Sequence, residues 1–249
     1  MITINILSRI FSIRTTNQDT NETIDYGTAF TFDCENKQYL ITATHLLGDL
    51  NQLKIIEYWQ NDKFNNVEVS VIGSSDDVTV LYTNITLTDP NLVMPALTDT
   101  CFGQDVWFLG YPYKMFSNAG DILEGRPIPF VKKGILSQFS NISDKFLYID
   151  AINNPGFSGG PVVGLTGGVD KFGVIAVVSG YKEGRETITD TSNGEKTDLE
   201  VSYNTGLMKV YPIKIALDII SKNPNGFELN KNATLPTILN FLHKHTNST

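Results

Sequence analysis

The sequence predicts an all-β fold, either a barrel or a sandwich, that ends in a helix. About eleven short runs rich in β-branched and aromatic residues recur along the chain, turn residues separate them, and no helical period lies among them. A helical period occurs only near the C-terminal end. The predicted strands are 27–32, 38–42, 54–59, 67–72, 78–82, 105–109, 131–139, 145–149, 161–163, 172–179 and 201–210.

The C-terminal helix is predicted to begin at Pro212, because proline fits the first turn of a helix. One apolar face is then shared by Ile213, Ala216, Leu217 and Ile220, as the helical period requires. A second short helix is predicted from 236 to 243.

Two stretches are predicted to be long surface loops. Residues 111–129 hold proline, glycine and asparagine, and residues 182–200 are almost wholly polar. Neither stretch has a hydrophobic period of the helical or the strand kind. Loops of this length often carry function.

The composition excludes several classes of protein. The 249 residues are 41% hydrophobic and 18% charged, which provides a full core and excludes a disordered chain. A net charge of −8 without a basic stripe excludes nucleic acid as a partner. No apolar stretch approaches the roughly 20 residues that cross a bilayer, so no membrane span is expected. Arg9 and Arg14 interrupt the apolar N-terminus and no cleavage site follows, so we expect a cytoplasmic protein without a signal peptide.

No metal or other cofactor is expected. Cys34 and Cys101 lie too far apart for a metal clip and are too few for a disulfide scaffold, so we predict two buried free thiols. His243 and His245 diverge if they lie on a helix, and no further ligands accompany them, so we predict surface histidines.

The most informative segment places a serine between glycines, at residues 153–161 with the sequence NNPGFSGGP. Such a turn can expose the hydroxyl of Ser158 while neighbouring N–H groups point into one small space. Acyl transfer needs both features. An ordinary glycine-rich hairpin turn explains the segment equally well when it is taken alone.

Two further segments supply an imidazole and a carboxylate. His45 ends a strand-like run, and Asp77 opens the strand predicted at 78–82. An imidazole is the natural general base for a serine hydroxyl, and a carboxylate beside it fixes its tautomer. Taken singly, each residue also has a structural explanation, as a histidine at a strand end and as an acidic residue in solvent.

Together the three segments resemble the trypsin-like serine proteases of the chymotrypsin fold, and most closely their HtrA-like bacterial branch. The family's TAAH, DxAxL and GxSGGP elements are similar to residues 42–45, 77–81 and 156–161, in the family's order of His, Asp and Ser. The resemblance covers roughly residues 25–222. Lesser similarities to the family's GTGF and LGYP elements occur at 27–30 and 109–112.

The resemblance implies two six-stranded antiparallel Greek-key β-barrels with a C-terminal helix and a site in the cleft between the barrels. The first barrel is expected at 25–104, and the second barrel with the helix at 105–222. An N-terminal extension at 1–24 and a C-terminal extension at 223–249, which includes the second short helix, are expected to flank them. The C-terminal extension is too short for a PDZ domain.

The family's mechanism implies a role for each site residue. Ser158 attacks the scissile carbonyl, His45 takes and returns the proton, and Asp77 orients His45. The backbone N–H groups of Gly156 and Ser158 hold the oxyanion. The implied activity is endopeptidase hydrolysis of a polypeptide substrate through an acyl-enzyme.

The resemblance also implies where the substrate binds. The substrate adds as a strand to the edge at Ser179, Gly180 and Tyr181, although a plain strand end explains these residues equally well. Ile152 corresponds to the base of the S1 pocket, so an apolar P1 side chain is expected.

One departure from the family bears on activation. Phe157 stands where secreted trypsins have the aspartate that pairs with a new N-terminus, so activation by zymogen cleavage is not expected. Because a cytoplasmic protease usually needs restraint, the two predicted loops are candidate sites for a regulatory protein partner. The oligomeric state stays open.

Two other functions compete with this one. The first is a catalytically silent double barrel that serves as a binding or scaffold module, with the 182–200 loop over its cleft. The second is an α/β-hydrolase, because residues 156–160 satisfy G-x-S-x-G. That motif must run into a helix, and the β-branched, glycine-rich stretch 161–168 is a poor helix, so we reject the second.

Overall fold

A computed structural model describes residues 2–16, 22–90, 100–115, 117–118, 120–139, 145–165 and 172–229. The described elements, in chain order, are α1 (Ile4–Leu7), β1 (Ile10–Thr16), β2 (Thr23–Cys34), β3 (Lys37–Ala43), β4 (Ile55–Gln60), β5 (Lys63–Ser75), β6 (Val78–Thr83), β7 (Asp105–Gly110), β8 (Ser117–Asn118), β9 (Pro127–Ile128), β10 (Phe130–Phe139), β11 (Leu147–Asp150), β12 (Pro161–Leu165), β13 (Phe172–Thr189), β14 (Lys196–Pro212), α2 (Ile213–Lys222) and β15 (Phe227–Glu228).

Twelve of these strands form two closed antiparallel barrels, as predicted. The first barrel has the order β3-β2-β1-β4-β5-β6 and closes where β3 pairs with β6. The second has the order β11-β10-β7-β12-β13-β14 and closes where β11 pairs with β14. In both barrels the fourth strand returns to pair with the first, which is a Greek-key connection. The prediction of two six-stranded Greek-key barrels followed by a helix is confirmed.

Three apolar clusters hold the barrels together. One fills the first barrel around Phe11, Leu40 and Leu81, and another fills the second barrel around Phe108 and Val210. A third cluster lies between the barrels and includes the buried face of α2, which packs against β5 and β6 on one side and β13 and β14 on the other. The helix therefore joins the two halves whose loops carry the site.

The N-terminal segment, expected to be an extension, contributes a strand to the first barrel. β1 pairs with β2 and β4, and its apolar side chains are buried. The two arginines that interrupt its apolar pattern each meet a carboxylate: Arg9 bonds Asp33 at 2.6 Å, and Arg14 bonds Glu57 at 2.8 Å. Paired in this way, both arginines fit inside a folded domain.

The stretch 182–200, predicted to be a loop, belongs to a two-stranded arm formed by residues 183–204. β13 and β14 stay paired beyond the barrel, from Glu183 opposite Asn204 to Thr189 opposite Lys196. Neither face of this ribbon packs on a barrel core, so its sequence shows no apolar alternation. The prediction failed for that reason.

The other predicted loop, 111–129, contains short regular elements and packs against the N-terminal segment. It holds two turns of 3₁₀-helix and the small pair β8 and β9. Tyr111 donates its hydroxyl to the carbonyls of Ile10 and Pro127, and the buried Arg126 donates to the carbonyl of Ser8. The bonds to Ile10 and Ser8 fasten the segment to the N-terminal part of the chain.

Three smaller expectations also have outcomes. In the C-terminal extension, β15 pairs with β3, whereas the helix predicted at 236–243 lies outside the described residues. Both cysteines are free, as predicted, but Cys34 is only half-buried and Cys101 is exposed. Within the described residues, no helix is long and apolar enough to cross a membrane.

Candidate active site

Two neighbouring strands of the first barrel place His45 beside Asp77. His45 lies on a 3₁₀ turn that follows β3, and Asp77 lies in the tight turn between β5 and β6. The ends of β3 and β6 are adjacent because Ala43 pairs with Val78. The N–H of Thr44 also donates to the carbonyl of Asp77, at 3.2 Å. Barrel closure therefore joins residues that are 32 positions apart.

The imidazole and the carboxylate are in direct contact. His45 Nδ1 lies 2.9 Å from Asp77 Oδ2 and 3.1 Å from Oδ1, and the backbone N–H of His45 donates to Oδ1 at 3.0 Å. This contact assigns the Nδ1–H tautomer, which leaves Nε2 able to accept a proton. The imidazole side chain is 43% exposed and the carboxylate 18%, so Nε2 is accessible to a reacting group.

Each partner shifts the pKa of the other. The hydrogen bond with Asp77 raises the pKa of His45 above 6.5, against the opposing effect of burial. Burial favours a higher pKa for Asp77, but hydrogen bonds from His45 and Ser179 outweigh it and lower this pKa. Asp77 is therefore ionised at neutral pH and stabilises a protonated His45.

A glycine-rich turn presents Ser158 from the second barrel, between β11 and β12. The turn is locked to both barrels, since Gly159 N–H donates to the carbonyl of Val178 at 2.7 Å and Thr28 N–H donates to that of Ser158 at 2.9 Å. Gly159 has a φ of +81°, and a Cβ there would lie 2.1 Å from the Thr28 carbonyl oxygen. Only glycine fits this close approach.

Ser179 links the serine to the histidine–carboxylate pair. Its hydroxyl donates to Asp77 Oδ2 at 2.5 Å, and its carbonyl accepts the Ser158 hydroxyl at 2.8 Å. Within the described residues the Ser158 hydroxyl makes this bond and none with His45. The structure thus brings His45 and Asp77 into direct contact. Ser158 is connected to this pair through Ser179, which bonds both Ser158 and Asp77.

Two backbone N–H groups beside Ser158 are unengaged. The N–H groups of Gly156 and Ser158 donate to no other group in the described part of the chain, whereas the N–H of Phe157 between them donates to Asn154. Gly156 has a φ of +105°, and a Cβ there would lie 2.3 Å from the carbonyl oxygen of Tyr111. An oxyanion needs free, fixed donors of this kind.

Comparison with solved structures supports the architecture. A crystal structure of the serine endoprotease from Yersinia pestis superposes with a TM-score of 0.57 at 19% sequence identity, covering 89% of this chain and 66% of that one. The chain adopts the chymotrypsin fold. No protein-family model and no curated protein matches the sequence.

The predicted substrate-binding residues of this chymotrypsin fold lie on both sides of Ser158. Ser179 and Gly180 are half-buried on β13, and Tyr181 beyond them is 41% exposed. Ile152 is 56% exposed, so its side chain lies open to solvent and is not enclosed in a pocket. No described residue closes the edge of β13 next to Ser158.

A groove of about 470 Å³ includes Gly156 in its lining. Its lining combines aromatic side chains, one acid and one amine, and Lys114 Nζ lies 3.6 Å from the centre of the Tyr26 ring. The lining residues are Ser12, Asp25, Tyr26, Gly27, Tyr111, Tyr113, Lys114, Pro155 and Gly156.

Sequence analysis missed two residues that hold the turn before Ser158. The hydroxyl of Thr28, which is fully buried, donates to the carbonyl of Gly156 at 2.7 Å and accepts the N–H of Tyr111 at 3.2 Å. Lys132 Nζ donates to the carbonyl of Ile152 and, at 3.0 Å, to Asn154 Oδ1. Burial lowers the pKa of Lys132. No local pattern marks Thr28, because its partner lies 128 residues away.

Phe157 explains how the turn is held without an ion pair. Its side chain is fully buried and meets the ring of Phe108 edge to face, with ring centres 5.0 Å apart. Apolar packing thus occupies the position where secreted trypsins, which the sequence resembles, have an aspartate. No cluster of three or more metal-ligating side chains occurs in the described ranges.

Proposed function

We propose that this chain is a serine endopeptidase that uses Ser158, His45 and Asp77. One observation carries the proposal: three features lie together at the junction of the barrels. They are the Asp77–His45 contact, the Ser158 hydroxyl and two unengaged N–H groups. A nucleophile, its base and an oxyanion site within one small volume are the parts that acyl transfer requires.

The first step begins with the Ser179 carbonyl. The N–H of the substrate P1 residue donates to this carbonyl and displaces the Ser158 hydroxyl from it. The Ser158 side chain then rotates about its Cα–Cβ bond and turns the hydroxyl towards His45 Nε2. Ser158 Oγ attacks the scissile carbonyl carbon, and its proton passes to His45. The negative charge on the former carbonyl oxygen is held by the N–H groups of Gly156 and Ser158.

The remaining steps restore the enzyme. The C–N bond breaks as His45 returns the proton to the leaving amine, which leaves an ester on Ser158. A water molecule then gives a proton to His45 and attacks the ester carbon. The bond from this carbon to Ser158 Oγ breaks as His45 returns the proton to Oγ, which releases the acid and restores the hydroxyl. Asp77 keeps the imidazole oriented and stabilises its charged form through both halves of the reaction.

The substrate is a polypeptide that binds in an extended form along Ser179, Gly180 and Tyr181. Beside Ile152, an apolar P1 side chain is favoured. We also propose a cytoplasmic location, because both cysteines are free. The two segments 111–129 and 182–200 are the proposed contacts for a regulatory protein.

A fluorophosphonate probe tests the proposal. The wild-type chain should be labelled at one residue, which mass spectrometry of the tryptic peptide should identify as Ser158, and Ser158→Ala should not be labelled. Thr44→Ala, which removes a hydroxyl bonded to Ser74 and Thr79 beside the site, is the control and should keep the label. A folded wild-type chain that takes no label indicates the silent scaffold module instead.

A further inference from the structure

The outer edge of β13 is unpaired from the candidate nucleophile onwards. This edge pairs with β12 as far as Val177, and the last backbone bonds join Val178 to Gly159 and Gly160. The next group on it is the Ser179 carbonyl, which holds the Ser158 hydroxyl. No strand lies against the edge from there to Thr189 in the ranges that the structure describes. Eleven consecutive residues of a strand therefore present an open edge.

The direction of the backbone groups on this edge follows from one hydrogen bond. The carbonyl of Lys182 accepts the hydroxyl of Thr205 at 2.6 Å, so it points towards β14. The pairing of β13 with β14 shifts register between Tyr181 and Glu183, so the direction is taken from Lys182 itself. Successive residues of a strand alternate in direction, so Tyr181 and Glu183 on either side of Lys182 point outwards. Arg185 also points outwards, because the pairing is regular from Glu183 to Thr187. These residues continue the outward direction of the Ser179 carbonyl.

An aromatic ring covers the one glycine of the arm that lies on β13. A Cβ on Gly184 would lie 2.5 Å from Cζ of Tyr203, so the ring of Tyr203 lies across the backbone of β13 at that point. The ring is on the same face as Val201 and Leu199, which are 50% and 63% exposed. A strand added to the outer edge would place a side chain beside this ring.

We propose that the arm, residues 183–204, extends the substrate-binding edge, so that the unprimed part of a polypeptide substrate adds to β13 as an antiparallel strand well beyond P3. This proposal rests on the proposed peptidase function. With the P1 N–H on the Ser179 carbonyl, P3 pairs with Tyr181, P5 with Glu183 and P7 with Arg185. The P6 side chain then lies over Gly184 and packs against Tyr203.

Substrate is the occupant that the position of the edge favours. The free edge is continuous with Ser179, and a chain whose scissile bond lies at Ser158 must leave the site along it. The charges along β13 alternate in sign, from Lys182 and Glu183 to Arg185 and Glu186. Because the edge therefore favours neither charge on the substrate, the backbone hydrogen bonds and the apolar P6 contact carry recognition. An open edge of this length is otherwise a hazard for aggregation.

Two matched peptides test the register directly. Both span P9 to P3′, with leucine at P6, and one carries an N-methyl group on the P5 nitrogen while the other carries it on the P6 nitrogen. We expect kcat/KM to fall about fivefold for the P5 peptide, which loses a bond to the Glu183 carbonyl, and to stay unchanged for the P6 peptide, whose N–H faces solvent. Equal values for the two peptides would overturn the proposal.

A shortened arm supplies the second test. In this variant an Asn-Gly turn replaces residues 184–203, which leaves both barrels intact. It should cleave a P4–P3′ peptide like the wild type and should lose the wild-type preference for the P9–P3′ peptide. If the wild type cleaves both peptides with the same kcat/KM, the arm does not bind substrate. The same conclusion follows if sedimentation shows a dimer that requires the arm while kcat/KM does not depend on peptide length. Absence of all cleavage and of Ser158 labelling would refute the peptidase function itself.

Discussion

Thr28 offers a way to test whether the first barrel positions the proposed oxyanion site of the second barrel. Its buried hydroxyl joins the Gly156 carbonyl to the Tyr111 N–H, and Thr28→Val keeps the shape while removing both bonds. Each buried group left without a partner costs about 1–3 kcal/mol, so the free energy of unfolding should fall by roughly 2–6 kcal/mol. The unpaired Gly156 carbonyl accounts for about 1–3 kcal/mol of this loss. If that free energy is also lost from the transition state, activity should fall by about 5- to 150-fold.

The assay separates this effect from simple destabilisation. Because the Gly156 N–H is proposed to stabilise the transition state, kcat for peptide cleavage should fall while KM changes little. Thr28→Ser keeps the hydroxyl and should restore most of kcat. Thr83→Val is the matched control, since it removes a buried hydroxyl bonded to Ile85 on the first barrel, and it should lose stability in urea without losing kcat. If Thr28→Val is destabilised but retains full kcat, Thr28 does not position the oxyanion site.

Three further predictions concern charge, backbone and the N-terminal strand. Because Asp77 raises the pKa of His45, kcat/KM should decline on acidification with a midpoint above pH 6.5. Asp77→Asn should lower that midpoint and reduce kcat by about 10⁴-fold. A kcat/KM that does not change between pH 5 and 8 would exclude His45 as the base. Gly156→Ala should remove most activity, because its Cβ would lie 2.3 Å from a backbone oxygen at a φ of +105°, and full turnover by a folded variant would contradict the assigned geometry. Arg9→Met should lower the free energy of unfolding by about 3–5 kcal/mol in urea, since it leaves the Asp33 carboxylate without its buried cation. A loss below about 1 kcal/mol would show that the Arg9–Asp33 pair does not stabilise the first barrel.

Sequence patterns predicted the strands whose side chains alternate between a core and solvent. β1 was missed because Arg9 and Arg14 look like solvent-facing charges until their partners Asp33 and Glu57, distant in sequence, are known. The arm was missed because its stability comes from backbone pairing, with no buried face to impose a period.

In the candidate site too, local sequence patterns predicted some residues, whereas others depend on contacts between distant parts of the chain. Local motifs marked His45, Asp77 and Ser158, because each stands in a turn next to a strand. The contacts of Thr28 and the hydroxyl of Ser179 depend on how the barrels dock, which no local pattern records. The hydrogen bond between Ser158 and the Ser179 carbonyl likewise depends on a side-chain rotation that sequence does not determine.

A double-mutant cycle on peptide cleavage tests most directly whether Ser158 and His45 act as one catalytic unit. Ser158→Ala and His45→Ala should each reduce kcat by about 10⁴ to 10⁶, and the double variant should be no slower than the slower single variant. Losses that multiply in the double variant, or near-normal turnover by either single variant, would contradict a shared role for the two residues.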